Sequence, residues 1–381
     1  MNEFDPARGF GVYIHWPYCT RICPYCDFNV YAAKSRDNAP LADAIAADLK
    51  GWRDRTGPRK VDTVYFGGGT PSLIRTADLE RMLRLIDDLW GYSGQRDFTL
   101  EVHPEDGHRF KDFRAFGISR LSIGVQSFDD YRLRFLGRAH TAKQARAAIE
   151  AARAEFASVS IDLIYATPGQ ARDQWRAELA EAISRAPHLS LYELTIEPGA
   201  AFARSVARRD FAPMEDDAAA DLYEMTEEMT DASRFRGYEI SNYAFGSEFE
   251  SRHNRIYWES GDWVGAGPGA HGRITANGAR LAIEAEPDVA AYMRKVNSSG
   301  VGWRGWEALA PLAQARERVA MGLRVAEGFP VADIGSLGFS LDTGKLQRLE
   351  ALGLVIAADG RVALTRKGRL VADRIAAELS P

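Results

Sequence analysis

Short apolar runs rich in β-branched residues alternate with longer amphipathic stretches through the first half of the chain. "GVYIHW" (11–16), "VDTVYF" (61–66), "FTLEVH" (98–103), "RLSIGVQS" (120–127), "SVSIDLIY" (158–165) and "LSLYELTI" (189–196) read as strands. Between them lie helical patterns such as "LADAIAADLKGW", "ADLERMLRLIDDLW", "AKQARAAIEAARAE" and "DQWRAELAEAISRA". This alternation predicts an α/β protein with a parallel sheet of βα units. Six units predict a partial (βα)6 TIM-like barrel, open rather than closed on eight strands. The turns after such strands gather on one rim, where ligands bind. Here they are "CTRICPYC", "GGGTPS" (67–72), "HPED" (103–106), Gln126, "TPGQ" (167–170) and "EPGA" (197–200).

From about Asp221 the pattern changes. A helix near "DLYEMTEEMTDASRF" leads into a stretch rich in glycine and aromatics, "GYEISNYAFGSEFESRHNRIYWESGDWVGAGPGAHG". After about Glu307, "PLAQARERVAMGLRV" and "GKLQRLEALGLVI" read as helices, and "ADGRVALTRKGRLVADRIAAEL" as turn, strand and helix. That order predicts a small α+β winged-helix-like domain with Asp359-Gly360 closing its hairpin. The expected organisation is a barrel over 1–235, a connector over 236–305 and a C-terminal domain over 306–381. Basic, acidic and apolar residues alternate in "KLQRLEALG", which predicts packing rather than DNA binding.

Composition narrows the class. With 46% hydrophobic and 27% charged residues the chain is an ordinary globular one, and a net charge of -5 gives no footprint for nucleic acid. No stretch approaches the roughly 18 apolar residues of a membrane span. The opening "MNEFDPARGF" lacks the basic-then-apolar order of a secretory signal. A cytoplasmic protein is expected.

All three cysteines of the 381 residues, Cys19, Cys23 and Cys26, fall in "CTRICPYCDF". An odd, clustered set argues against a disulfide framework. Zinc stays open, but structural zinc takes four ligands and the sole nearby histidine, His15, lies on the strand. A ferredoxin-type cluster needs a fourth cysteine. The remaining solution is a 4Fe-4S cluster with three irons on these thiolates and the fourth iron open. The open iron would take a small ligand carrying an amine and a carboxylate, as S-adenosyl-L-methionine does on its methionine end.

C-x3-C-x2-C resembles the signature of the radical S-adenosylmethionine superfamily, and Tyr25 fits the aromatic usual before the third cysteine. The resemblance implies S-adenosylmethionine contacts on the same rim. Gly68, Gly69 and Thr70 would bring backbone amides to the methionine end, and Glu101 and Gln126 would face the ribose. Arg138 would pair with the carboxylate, Asp162 is a charge inside an apolar strand, and Tyr13 would lie beside the cofactor. Each has a plainer alternative: a turn, a satisfied backbone group, a structural ion pair.

The order "VYIHWPYC … CDF", "YFGGGTPS", "GVQSF", "GRAH", "DLIYATPGQ" is similar to the oxygen-independent coproporphyrinogen III oxidase subgroup over nearly the whole chain. The oxidase itself carries a further cysteine where this chain has Phe28, and has a longer N-terminal extension than the eighteen residues before Cys19. "HNRIYW" (253–258) fits the H-N-x-x-Y-W motif of the haem-chaperone (HemW) branch instead. That branch implies haem as a ligand and client haemoproteins, membrane respiratory enzymes among them, as partners; the oxidase is the alternative. His253 would be an axial ligand, with Tyr257 and Trp258 as flat surface for the porphyrin, and His271 a second candidate. The plainer reading of His253 is a buried histidine hydrogen-bonded among aromatics. His103 stands where the subgroup commonly has asparagine.

Overall fold

The computed structural model describes residues 4–32 and 38–381, so the first three residues of the N-terminal segment lie outside the described residues. Six parallel strands follow the alternation read above: β1 (Phe10–Trp16), β2 (Val61–Gly68), β3 (Tyr92–Val102), β4 (Arg120–Gln126), β5 (Ser158–Tyr165) and β6 (His188–Glu193). They pair in chain order. Helices Ala39–Thr56, Thr76–Trp90, Ala142–Glu155 and Arg172–Arg185 cover the outer face. β1 is buried on both sides except at Tyr13, as a parallel strand between helices and a filled barrel must be.

The stretch from 236 to 305 does not form a connector. It adds β7 (Arg236–Glu239), β8 (Asn242–Ala244), β9 (Asp262–Ala266), β10 (His271–Ala276) and β11 (Ala279–Ala285) to the same sheet, and β12 (Trp303–Ala308) carries that sheet past 305 into the expected C-terminal domain. The twelve-stranded order is β12-β11-β10-β9-β1-β2-β3-β4-β5-β6-β8-β7. β9 runs parallel to β1, from Phe10 opposite Asp262 to Ile14 opposite Ala266, so the barrel gains a seventh parallel strand from the second half of the chain.

Asp262 holds that strand in place. It is 3% exposed and accepts the Thr275 amide at 2.6 Å, the Thr275 hydroxyl at 2.9 Å and Arg280 Nη1 at 3.2 Å; Arg59 closes on it from the barrel side. Residues far apart in sequence thus meet in one buried charge cluster.

The C-terminal domain has its own core around Val319, Phe329, Leu349, Val362 and Ile375. Helices Pro311–Gly322, Val331–Ser336 and Thr343–Ala351 precede a wing of β14 (Val355–Ala358) and β15 (Arg361–Leu364), with β13 (Phe329–Pro330) on β15. Asp359 and Gly360 take φ of +52 and +72 at the hairpin tip, as a two-residue hairpin turn demands. The expectation that "LVI" continues a helix fails at Gly353, whose positive φ ends it before Val355. Arg318 Nη1 donates to Trp258 O at 2.8 Å and Ile240 N to Arg324 O at 2.9 Å, joining domain and barrel. Among the described residues no helix is long and apolar enough to cross a membrane.

Asp262→Ala leaves Arg59 and Arg280 buried without their carboxylate. Urea unfolding is expected to show a loss of about 3–5 kcal/mol; a change under about 1 kcal/mol would show that β9 is held by other means.

Candidate functional site

The rim at the C-terminal ends of β1–β6 encloses a cavity of about 370 Å³, inside the range of roughly 300–1,000 Å³ usual for small-molecule sites. Cys19, Cys23, Tyr25, Cys26, Gly68, Gly69, Thr70, Glu101, Gln126, Arg138 and Asp162 all line it. Tyr13 sits on β1 just below, its hydroxyl 2.9 Å from His15 Nδ1.

Two backbone contacts set the cysteine loop on this rim. Gly69 N donates to Trp16 O at 2.7 Å, and Thr70 N to Tyr18 O at 2.9 Å. The approach is so close that a Cβ on Gly69 would stand 2.7 Å from Tyr18 O and 3.0 Å from Cys19 Sγ. Gly68 adds a φ of +111, open to glycine alone. The loop is closed on its far side by Tyr31 N donating to Pro17 O at 2.8 Å, and by His15 Nε2, 2.9 Å from Asn29 O. These bonds correct one expectation. The amide of Gly68 is given to Glu101 Oε2 at 3.2 Å, so the amides of Gly68, Gly69 and Thr70 are all committed within the protein rather than offered to a methionine end.

Among the described residues no three His, Cys, Asp or Glu side chains converge as a preformed metal cage. The three thiols share one wall, and burial pushes the Cys19 thiol up and that of Cys26 to about 11. Thiols in that state need a positive partner to ionise. Arg138 Nη1 stands 3.5 Å from Cys23 Sγ, while its Nη2 donates to Gly124 O at 2.9 Å. Its Nε is buried and has no hydrogen-bond partner among the described residues. An iron–sulfur cluster fits this all-thiol donor set better than zinc does. The unpartnered guanidinium donor beside it fits a carboxylate.

Deeper in the cavity lie two carboxylates. Glu101 accepts from the Tyr65 hydroxyl at 2.9 Å, and burial, with the nearby Asp162 charge, pushes its pKa up to about 7. Burial also raises Asp162, against the Ser122 hydroxyl at 2.9 Å and the Ser160 hydroxyl at 3.2 Å. The pair makes a floor of hydrogen-bonding carboxyl oxygens suited to the hydroxyls of a ligand. Gln126 ends β4 with a φ of +67 after a register shift, a strained non-glycine position on the ligand-facing edge. His103 is held near neutral, its pKa lowered to about 3 by burial and by Arg138 and His140.

Tyr65, Ser122 and Asn29 support these groups and escaped the sequence reading, and His15, weighed there against zinc, supports them too. Tyr65 and Ser122 were legible as polar positions on the inward phase of apolar strands. His15, on the same phase of β1 as Tyr13, gave that signal too, whereas Asn29 in the loop gave none.

The haem expectation for "HNRIYW" is corrected by the structure. His253 is 1% exposed, stacked on Tyr65 with ring centroids 5.1 Å apart. Its Nδ1 lies 2.7 Å from the Thr63 hydroxyl and its Nε2 2.6 Å from that of Tyr257, so both nitrogens are engaged. Burial lowers its pKa to about 3. Tyr257 packs edge-on against Trp263, and Trp258 Nε1 donates to Glu239. The motif braces helix Arg252–Trp258 against β2 and β9 at the barrel's interior. His271 opens β10 on the surface, apart from His253.

Comparison with known proteins gives two family matches: the Radical SAM superfamily over residues 13–182 and the HemN C-terminal domain over 309–371. "Heme chaperone HemW" of Mycobacterium tuberculosis is 35% identical over 97% of this chain and 94% of its own. "Heme chaperone HemW" of Bacillus subtilis is 31% identical over 95% and 97%. "Radical S-adenosyl methionine domain-containing protein 1, mitochondrial" of Mus musculus is 35% identical over 83% and 73%. Among solved structures, "Coproporphyrinogen III oxidase (HemN) from Escherichia coli" superposes with a TM-score of 0.83 at 21% identity, over 99% of this chain and 91% of that one, a likeness of fold.

Two substitutions probe these contacts. Gly69→Ala is expected to abolish the charge-transfer absorbance after anaerobic reconstitution with iron and sulfide, at unchanged far-ultraviolet circular dichroism; a normal band would detach the glycine turn from the cysteine loop. His253→Ala strands the Thr63 and Tyr257 hydroxyls and is expected to cost about 1–3 kcal/mol of stability while the band survives. A variant as stable as the parent would return His253 to consideration as a free ligand.

Proposed function

The chain belongs to the radical SAM superfamily, in the family of the heme chaperone HemW, and on that premise we propose that it binds haem and delivers it to a client haemoprotein. Its cofactors are a 4Fe-4S cluster and S-adenosylmethionine, which when bound supply one-electron chemistry. In this reading Cys19, Cys23 and Cys26 hold the cluster, and Arg138 receives the carboxylate of the nucleoside through its unpartnered Nε. Glu101 and Asp162 form the floor beneath the ribose and sulfonium, and Tyr13, Tyr25, Gly68, Gly69, Thr70 and Gln126 shape the walls. The client is a haemoprotein of respiratory type, and the work is done in the cytoplasm, where thiols stay reduced.

The observation that carries the proposal is the convergence on one cavity of all the chain's thiols, an unpartnered buried arginine donor and two carboxylates. The coproporphyrinogen oxidase is the second reading, favoured by the fold likeness. Against it stands Phe28, 62% exposed at the cavity mouth, in the place of the oxidase's further cysteine.

Anaerobically reconstituted protein is expected to take up haemin from solution and to yield it chemically unchanged to an apo-haemoprotein acceptor. Decarboxylation of coproporphyrinogen III with release of carbon dioxide would establish the oxidase instead, and consumption of haem would establish a haem-modifying enzyme.

A further inference from the structure

With His253 sealed inside the barrel, haem needs another surface. The cysteine loop has a second side. Opposite the main cavity lies an open groove lined by Arg21, Ile22, Pro24, Arg134, Phe135 and Arg204, and the two spaces share the wall Arg21–Cys23, Cys26 and Gly137. Arg21, Arg134 and Arg204 are exposed and come from three elements: the loop, the short helix Asp130–Phe135, and helix Ala201–Ala207. Nothing in the chain's local sequence requires three cations to meet there. Among the described residues none of the three is paired with a carboxylate. One turn further along, Arg208 is by contrast paired with Asp210 at 2.6 Å. A large apolar side chain of the loop, Ile22, stands 44% exposed in the groove.

We propose that this groove binds haem by its propionates, with Arg21, Arg134 and Arg204 as the carboxylate-binding residues and Ile22 and Phe135 against the macrocycle. The assignment rests on the haem-chaperone reading and names the surface which that reading lacks. A porphyrin dianion asks for planar, fixed-charge donors next to apolar area, and arginine supplies the bidentate fork that lysine does not. The groove also places haem across a single loop from the cluster cavity.

The test titrates reconstituted protein with haemin and with haemin dimethyl ester, which lacks the two carboxylates. The parent is expected to prefer haemin by roughly tenfold or more, a preference that falls with added salt. R134E/R204E is expected to weaken haemin by at least that factor and to erase both preference and salt dependence; R134K/R204K should fall between. Both variants replace exposed, unpaired side chains, and the cluster absorbance and circular dichroism confirm an intact fold. A charge-reversed variant with the parent's affinity and preference overturns the groove while leaving the chaperone reading standing. So does a parent that binds acid and ester alike. A parent that binds neither removes the chaperone reading, and the groove with it.

Discussion

The arrangement depends on one close backbone contact: the end of β2 laid against the cysteine loop with no side chain between them. Gly69 gives its amide to Trp16 O at 2.7 Å and turns its bare Cα toward Cys19 Sγ. A loop of about a dozen residues has many conformations, and fixing it has an entropic cost that grows with its freedom. The glycine turn, the His15–Asn29 bond and the Tyr31–Pro17 bond together confine it. Everything attributed to the loop follows from that confinement. The thiols face one cavity, Arg138 reaches Cys23, and the outer side of the loop becomes the wall of a second, basic groove.

Charge is distributed unevenly across that wall. Inside are two carboxylates whose protonated forms are favoured by burial, a histidine kept neutral, and one guanidinium with a donor to spare. Outside are three arginines without acids. In the proposed reading the inner site takes a nucleoside by its hydroxyls and its carboxylate tail, and the outer one takes the two propionates of haem. The same loop therefore stands between the two proposed ligands.

Much of the first half was legible because its strands are apolar runs between amphipathic helices; Ser158–Tyr165 and Ala142–Glu155 match the sequence pattern residue for residue. The second half was not. "DWVGA" is a buried parallel strand, yet it is five residues long, carries an aspartate and a glycine, and is held by Arg59 and Arg280 from elsewhere in the chain. Periodicity does not register such long-range anchoring. The wing was readable from Asp359-Gly360, whereas the short helix Val331–Ser336 before it, less than two turns long, had no pattern to show. In the site, residue types pointed to the right rim but not to partners. The amides of Gly68, Gly69 and Thr70 serve the protein, and "HNRIYW" is a brace because Thr63 and Tyr257 meet both nitrogens of His253.

The claim underlying all of this is that three thiols hold a four-iron cluster with one iron open to S-adenosylmethionine. Electron paramagnetic resonance of the reduced, anaerobically reconstituted protein, with iron counted per chain, tests it directly. The account predicts four irons and a cubane signal whose g-values shift when S-adenosylmethionine is added. Bound zinc, or a cubane signal indifferent to S-adenosylmethionine, would contradict it.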